Sequence, residues 1–539
     1  MQPHQAAADQ TPNPSPLSPD PARPVHWLTL LLLLAASAAV RFLFLARKPF
    51  WFDECFSVEV ARLDWRNFLH LLWWREANMS LYYLLLRIWL VFETHSGQSE
   101  FFIRGLSVLI AAATVPAIYW LARMLYDRRV ALIAAALFTF NAYSVRYAQE
   151  ARSYALLLLL ATLSSGFLIA WVRESVRESA RDPRRRNRRG YVLVSVLAVY
   201  AHFYALLLVA AQWLALRGLQ SGARDPEQLA QFSAPLPTQM RRAWITIGLA
   251  VSPLLIFVAK TGAGPIRWIP RPSLRDVLEF YEHMAGSSTW ALLIVCAAAC
   301  TAALVPVGKQ LWKRAQSWEA WRSHFLLVWL FFPVVFTVLL SFARPVFLAR
   351  YMIFCLPALL ILVAAGLARL RSSWLLAAAL AGILFLGSQG IFFVYTHDFD
   401  NERDACVAAA AFILDHAQPG DAVIFHIAET RIPYEFVRSL RSGENTASPN
   451  FATQLGPEIL FPHHAAGLDY RDFTGKPTED FLRAGMPGHP RVWIMLMNNG
   501  PAGNPDPATV MLTQVVAEPF PRMLRWQFTK VEVRLYSKP

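Results

Sequence analysis

Apolar residues fill blocks of about 20 positions along residues 26–395, and short polar or basic segments separate the blocks. An α-helix needs a block of that length to cross the ~30 Å hydrocarbon core of a bilayer. The pattern therefore predicts membrane-spanning helices near 26–45, 102–124, 130–148, 154–172, 243–260, 289–308, 324–342, 351–370 and 374–395.

Two stretches depart from this pattern. Segment 191–217 is apolar, but both of its flanks have cytoplasmic character, so we expect a helical hairpin of two passes of ~13 residues, with its tip near 201–204 at an outer cavity. Segment 46–101 is rich in Trp and charge, with an amphipathic part near 57–74 and a short apolar part at 81–93. We expect 81–93 to lie at the membrane interface, because it is too short to span comfortably.

Basic loops orient the predicted bundle. The positive-inside rule assigns the loops at 127–129 and 173–189 to the cytoplasm, and the second of them carries eight arginines. Segments 46–101 and 146–154 then lie on the outer face, provided that 81–93 does not cross. A loop at 261–288 is also predicted to be outside. The resulting topology has about 11 passes, a cytoplasmic N-terminus and an extracytoplasmic C-terminus.

The two ends of the chain differ in composition from the apolar blocks. Residues 1–25 are rich in Pro, Ala, Gln and Ser, which predicts a disordered cytoplasmic tail. From 396 to 539 the pattern indicates a helix at 405–416 and strands at 422–426, 491–497 and 531–536. We therefore predict a small extracytoplasmic α/β domain after an all-α transmembrane domain at 26–395.

Composition narrows the class of protein further. Hydrophobic residues make up 55% of the chain and charged residues only 16%, too few for the surface of a soluble protein of this length. The formal charge of +14 does not indicate nucleic-acid binding, because the basic residues cluster between apolar blocks. No phosphate-binding glycine loop is present, which argues against a nucleotide site. The five cysteines and the histidines 426, 463 and 464 lack metal-ligand spacing.

A pair of adjacent carboxylates, Asp53 and Glu54, follows the first predicted span on the outer side. Glycosyl transfer would use such a group, because the attacking hydroxyl loses a proton as it reaches the anomeric carbon. The alternative is an interfacial pair that only stabilises the start of the next helix. Glu76, near the short interfacial helix, is a second acidic candidate.

Arginines on the same predicted face are candidates for binding a phosphate group, since they offer charge and paired donors. Arg152 lies between two spans, Arg350 enters a late span, and Arg104 lies at the outer end of its span. Snorkelling to lipid headgroups is the alternative for Arg104 and Arg350. Glu150 could instead pair with an arginine between helix ends, and His202 and Tyr204 could line a cavity or simply pack.

The ordered set of motifs resembles the GT-C glycosyltransferases, in particular the protein O-mannosyltransferase and aminoarabinose transferase-like branch (glycosyltransferase family 39-like). The likeness runs from about 26 to 395. It is carried by WFDE at 51–54, LYYLLLR at 81–87, EFFIR at 100–104, YAQEARSY at 147–154 and RY at 350–351. The Pro-Pro pair often found before Leu-Tyr-Tyr is replaced by Met79-Ser80, and the family's frequent acidic residue after the second outer loop is absent unless Glu150 takes its place.

The resemblance implies a helical membrane domain with interfacial helices in its first outer loop, which transfers a sugar from a polyprenyl monophosphate with inversion. It implies Asp53 as the catalytic base and Glu54 as its support or as an acceptor ligand. Arg104 and Arg152 would lie near the carrier phosphate, with Arg350 as a further candidate. The remaining candidates for the cavity or for acceptor binding are Glu76, Tyr82, Glu150, Tyr154, His202, Tyr204 and Tyr351.

The sequence thus favours a membrane glycosyltransferase of the plasma or inner membrane. Its expected partners are the membrane, a lipid-linked sugar donor and a lipid, glycan or protein acceptor, and nucleic acid is not among them. A transporter or flippase of a lipid-linked saccharide is the alternative, and it would distribute ionisable residues along a central path. No cofactor is assigned, although some members of the family hold a divalent cation.

Overall fold

A computed structural model describes most of the chain. The described residues are 25–92, 100–177, 184–221, 236–261, 269–286, 290–312, 318–397, 404–442, 456–462, 468–473, 478–497 and 506–539. The predicted tail at 1–25 therefore lies outside them, apart from Val25, as do the histidines at 463 and 464.

Long apolar helices form the N-terminal three quarters of the molecule. Within the described ranges, seven helices are long and apolar enough to cross a membrane, or eight if one bent pair counts as a single span. Adding the helices Val25–Phe42, Arg184–Ala201 and Ala205–Ser221 to these eight gives the eleven segments predicted from the sequence. The helices of this domain are α1 Val25–Phe42, α5 Glu100–Leu125, α6 Arg128–Thr139, α7 Ala142–Ala148, α8 Tyr154–Arg177, α9 Arg184–Ala201, α10 Ala205–Ser221, α11 Leu236–Thr261, α13 Trp290–Trp312, α14 Trp318–Ala343, a 3₁₀ helix Ala349–Cys355, α15 Leu356–Leu367 and α16 Ser373–Thr396.

Two of the predicted spans have a different form in the structure. The block at 130–148 is not one helix, because α6 and α7 meet at an angle of 57°. Asn141 causes the break by capping α7, since its side chain accepts the backbone N–H of Ser144. The hairpin has its tip at 202–204 as predicted, but α9 and α10 contain 18 and 17 residues. The additional length lies away from the tip, where residues 184–189 of α9 are mostly arginine, so the apolar part of each pass has about the predicted length.

The first loop carries three short helices on one side of the bundle: α2 Phe52–Arg62, α3 Trp65–Trp74 and α4 Ser80–Leu90. Asp64 separates the first two, because its side chain accepts the N–H groups of Arg66 and Asn67 and starts α3. The predicted amphipathic segment 57–74 is therefore two helices. With 11 residues, α4 is about 17 Å long and cannot cross the bilayer.

The outer loop predicted at 261–288 contains a helix that the sequence reading did not identify, α12 Leu274–Ala285. The sequence does contain a signal for the start of this helix, since Ser273 and Asp276 form a capping box. One face of α12 packs inwards through Phe280, whose ring lies 6.5 Å from Tyr143 and 6.1 Å from Phe347.

The C-terminal part is an α/β unit with a five-stranded sheet in the order β2-β1-β3-β5-β4. Strand β1 pairs in parallel with β2 and β3, while β3, β5 and β4 pair antiparallel. Apolar residues on both sheet faces are covered by helices. The elements are α17 Cys406–His416, β1 Ala422–His426, α18 Arg431–Ser442, β2 Glu458–Phe461, α19 Glu479–Gly485, β3 Arg491–Met497, α20 Pro507–Ala517, β4 Arg522–Phe528 and β5 Val531–Ser537, with short 3₁₀ turns at Ala428–Thr430 and Tyr470–Phe473.

This α/β unit packs directly on the first loop of the membrane domain. The ring of Phe50 stacks on Phe436 of α18 with centroids 5.1 Å apart, and Phe56 of α2 meets Phe473 edge to face at 5.1 Å. These aromatic contacts join the two hydrophobic cores. The unit therefore lies on the same side of the bundle as α2, α3 and α4.

Candidate active site

Asp53 lies in the first turn of α2, where a carboxylate interacts favourably with the positive end of the helix dipole. The helix begins after Trp51, whose backbone is extended. The N–H of Phe52 has no partner within its own helix and donates to Asp404 of the α/β unit at 3.1 Å. The start of the helix that carries Asp53 is thus fixed by a residue from the other domain.

Two guanidinium groups face the carboxylate of Asp53. Its Oδ2 lies 3.5 Å from Nη2 of Arg152 and 3.8 Å from Nη2 of Arg350. The Asp53 side chain is 21% exposed, while both arginines are largely buried. One accessible carboxylate and two cations supplied by distant segments therefore form the centre of the candidate site, as the predicted topology required.

Arg152 is held firmly in place. Its Nη1 donates to the carbonyl of Asp53 at 3.2 Å and to Oγ of Ser57 at 3.3 Å. Burial acts to lower the pKa of Arg152, but the negative charge of Asp53 raises that pKa well above its ordinary value. The side chain is a permanent cation in a poorly solvated site, which is the environment in which a guanidinium binds an anion most strongly.

Glu54 and Arg104 point away from this centre and pair with each other. Nε and Nη2 of Arg104 donate to the two carboxylate oxygens of Glu54 at 2.8 and 2.7 Å, and both side chains are buried. The remaining donors of Arg104 bind the carbonyls of Leu45, Lys48 and Pro49. Glu54 also accepts the N–H of Ala151 at 2.9 Å. The geometry is that of a structural clamp between α2, α5 and the loop that carries Arg152.

Glu76 lies at the edge of the centre, in the segment between α3 and α4. Burial raises the pKa of Glu76 to about 7, with Arg152 opposing this shift and Asp53 adding to it. At neutral pH this carboxyl can therefore exchange a proton, which an ordinary glutamate seldom does. The structure brings Glu76 together with Asp53 and Arg152, as expected for the second acidic candidate.

Aromatic rings form one wall of the site. The ring of Tyr351 lies 4.6 Å from His202, 5.0 Å from Tyr204 and 6.4 Å from Tyr154. The hydroxyl of Tyr204 donates to the carbonyl of Val346 and ties the hairpin tip to the segment before Arg350. Four of the predicted cavity residues thus form a single cluster.

Tyr82 and Glu150 are placed differently. The hydroxyl of Tyr82 lies 2.8 Å from Oγ of Ser107, which in turn donates to the carbonyl of Arg152 at 3.5 Å. Tyr82 therefore stabilises the loop of Arg152 indirectly, through Ser107. Glu150 is buried, and its charge acts on Arg104. The sequence did not separate these supporting residues from those that line the site.

Further contributors were missed by the sequence reading. The guanidinium of Arg350 lies over the ring of Trp51 at 5.5 Å from its centroid, a cation–π contact that orients the arginine towards Asp53. Trp51 and Ser57 belong to the WFDE motif region and could have been singled out, whereas no local signal identifies Asp404. No group of three or more His, Cys, Asp or Glu side chains in the described ranges could hold a metal ion.

Comparisons with known proteins identify the fold. No protein-family model and no curated protein sequence matches this chain. Among solved structures, it is similar to apo ArnT from Cupriavidus metallidurans, with a TM-score of 0.57 and 12% identity over 95% of this chain and 98% of ArnT. It is also similar to ArnT bound to undecaprenyl phosphate, with a TM-score of 0.54 and 12% identity over the same shares of the two chains.

A third similar structure is the archaeal oligosaccharyltransferase AglB from Archaeoglobus fulgidus, in complex with an inhibitory peptide and a dolichol-phosphate. Its TM-score is 0.51, with 10% identity over 87% of this chain and 69% of AglB. ArnT and AglB are both glycosyltransferases of the GT-C type. The resemblance read from the motifs is confirmed at the level of architecture: this chain has the GT-C fold, a helical membrane domain followed by a small domain with a mixed sheet.

Proposed function

We propose that this protein is a membrane glycosyltransferase that moves a monosaccharide from a polyprenyl-phosphate carrier to an extracytoplasmic acceptor, with inversion. The observation that carries the proposal is the partly exposed carboxylate of Asp53 facing the buried guanidinium groups of Arg152 and Arg350. The GT-C fold supports it, and so do the carriers bound by similar proteins, undecaprenyl phosphate in ArnT and dolichol-phosphate in AglB.

In the proposed reaction the carboxylate of Asp53 and the two arginines have different roles. The acceptor hydroxyl attacks the anomeric carbon while Asp53 takes its proton, and the bond from that carbon to the phosphate oxygen breaks. Negative charge then grows on the leaving phosphate, where Arg152 and Arg350 stabilise it. A phosphate near the two arginines also competes for them, which frees the Asp53 carboxylate to act as a base.

The other candidate residues receive supporting roles in this proposal. Glu54 and Arg104 hold α2 in register with the Arg152 loop, because they form a buried bidentate pair and Glu54 also accepts the N–H of Ala151. We therefore assign neither of them to the acceptor or to the carrier phosphate. Glu76 and the aromatic wall of Tyr154, His202, Tyr204 and Tyr351 line the space available to the substrates.

A transfer assay tests the proposed function. Purified protein is incubated with a mixture of radiolabelled polyprenyl-phosphate monosaccharides and crude membrane acceptors. We expect label to leave the carrier and appear in a new product, whose identity gives both the sugar and the acceptor. Carrier binding without transfer under every acceptor condition would contradict the enzyme and support the transporter, and flipping in reconstituted vesicles would then be measured.

Arg152→Ala is expected to weaken donor affinity much more than acceptor affinity. Loss of one charge-assisted contact to phosphate corresponds to roughly a 10- to 100-fold increase in the donor KM. The measurement is a pair of saturation curves, one for each substrate. Equal effects on both substrates would instead favour a purely structural role, since Arg152 also contacts the carbonyl of Asp53 and Ser57.

The proposed orientation places the site and the α/β unit outside the cell membrane and the N-terminus inside. Single cysteines introduced into a variant without native cysteines test it. Arg275→Cys on α12 should react with an impermeant thiol reagent in intact cells, because this side chain is highly exposed on the proposed outer side. Arg241→Cys, exposed near the start of α11, should react only after lysis. The reverse pattern would overturn the orientation.

A further inference from the structure

Three buried hydrogen-bond donors around the aromatic wall lack acceptors among the described residues. They are Nε2 of His202, the hydroxyl of Tyr154 and Nε of Arg152. His202 and Tyr154 are both 0% exposed. A donor buried without an acceptor costs free energy, so several of them in one place indicate a missing ligand that is rich in acceptors.

The hydrogen bonding of His202 identifies which of its ring nitrogens carries a proton. Nδ1 accepts the backbone N–H of Tyr204 at 3.2 Å, so Nδ1 carries no proton. Burial and the charges of Arg152 and Arg350 lower the pKa of His202 to about 3, and the ring is therefore neutral. The one proton of a neutral imidazole then resides on Nε2, which acts as a donor.

The three donors belong to one neighbourhood. The His202 and Tyr154 rings lie 6.4 Å apart, and the guanidinium carbon of Arg152 is 5.9 Å from the centroid of the Tyr154 ring. Arg350 adds a second positive charge beside them, 5.7 Å from the centroid of Tyr351. Donors and positive charge together match a phosphate group, which offers several acceptor oxygens and negative charge.

We propose that Nε2–H of His202 and the hydroxyl of Tyr154 bind the non-bridging oxygens of the carrier phosphate, beside Arg152. This inference rests on the proposed function and deepens it. His202 and Tyr154 are thereby phosphate-binding residues rather than part of the acceptor site. They hold the leaving group while Asp53 remains free for the acceptor hydroxyl.

Binding of farnesyl phosphate and of farnesol to the purified full-length chain tests the inference. Both ligands are titrated by isothermal calorimetry against wild type, Tyr154→Phe, His202→Phe and His202→Gln. Tyr154→Phe and His202→Phe should each weaken farnesyl phosphate binding by roughly 10- to 100-fold. His202→Gln keeps an N–H donor and should retain most of the affinity. Farnesol, which has the same chain without a phosphate, should bind equally to all four proteins.

The matched control is Tyr200→Phe, which removes a hydroxyl of α9 that donates to the carbonyl of Ala250 and lies outside the aromatic wall. It should leave farnesyl phosphate affinity unchanged. Unchanged phosphate affinity in both Phe variants at 154 and 202, or equal losses for the two ligands, would overturn the inference and leave the proposed function standing. A wild-type protein that prefers farnesyl phosphate no more than farnesol would overturn both.

A separate observation concerns two cysteines at the contact between the domains. Cys55 of α2 and Cys406 of α17 are free thiols, each 0% exposed, and they neighbour each other where the two domains meet. The neighbouring Asp404 accepts the N–H of Phe52 and that of Cys406, so the two helix starts are held together. The proposed extracytoplasmic side is a compartment in which disulfides persist.

We propose that Cys55 and Cys406 form a disulfide that joins the helix of Asp53 to the α/β unit. The two thiols lose two protons and two electrons as the S–S bond forms. The oxidant is a protein disulfide of the thiol–disulfide exchange class, which is reduced to its dithiol. Because both thiols are buried in the folded protein, the bond forms as the domains come together.

Peptide mapping tests this link. Protein purified without reductant is denatured, its free thiols are alkylated, and the digest is analysed by mass spectrometry. We expect a linked pair of peptides containing Cys55 and Cys406, while Cys296, Cys300 and Cys355 are alkylated. Reductant should lower the melting temperature of wild type and not that of Cys406→Ser. Complete alkylation of both Cys55 and Cys406 would overturn the proposal.

Discussion

Asp53→Asn is expected to lower the rate of sugar transfer by roughly 10²- to 10⁴-fold, the usual contribution of a general base. Asparagine has nearly the same shape, but its amide cannot take the proton of the acceptor hydroxyl. The N–H of Phe52 and the carbonyl of Asp53 keep their contacts with Asp404 and Arg152, so the fold should survive. The measurement is turnover in the labelled-carrier assay, with melting temperature as a check on folding.

Glu279→Gln is the matched control for this substitution. Glu279 is a carboxylate of α12 that is 41% exposed and pairs with the exposed Arg275. Its loss should leave turnover unchanged. Turnover by Asp53→Asn within a few-fold of wild type would rule out Asp53 as the base, and Glu76 would become the next residue to test.

Glu54→Ala is expected to destabilise the protein by roughly 3–5 kcal/mol, since it leaves the buried charge of Arg104 without its main partner. It also removes the acceptor of the Ala151 N–H. The expected result is poor yield and a strongly lowered melting temperature in detergent. Pairing Glu54→Met with Arg104→Met removes both charges and should recover part of the stability.

Glu100→Gln provides the comparison for Glu54. Glu100 lies 3.8 Å from the same arginine but is 23% exposed, so its removal should cost about 1 kcal/mol or less. A Glu54→Ala protein that melts like wild type and has lost transfer would contradict the structural assignment. It would restore the role in chemistry that the motif resemblance implied for Glu54.

The adjacent residues Asp53 and Glu54 show what the sequence alone does not predict. In a helix each residue is rotated by about 100° from the previous one, so Asp53 and Glu54 must face different neighbours. Only tertiary packing determines which of them meets Arg104 and which faces the cavity. The apolar blocks, by contrast, predicted the spans, and short apolar or alternating runs predicted β1, β3 and β5, because these patterns depend on the local sequence alone.

The number of predicted membrane crossings did predict that Asp53, Arg152 and Arg350 lie on the same side of the helical bundle. Counting crossings is enough for that conclusion, because each pass reverses the side of the membrane. It gives no distances, however, and so did not separate Arg152 and Arg350 from Arg104. The α6–α7 break and α12 were predictable in principle, since Asn141 and Ser273 are cap residues with ordinary signals.

The hydrogen bond from Phe52 to Asp404 joins residues 352 positions apart. At ~5–20 residues per second, a ribosome needs roughly 20–70 s to make the chain between them. During that interval the α/β unit does not yet exist, so the start of the first helix of the loop lacks its cap and the aromatic rings of Phe50 and Phe56 lack their cover. The candidate site is therefore completed only late in biosynthesis, and a chain released early from the ribosome carries an unfinished site.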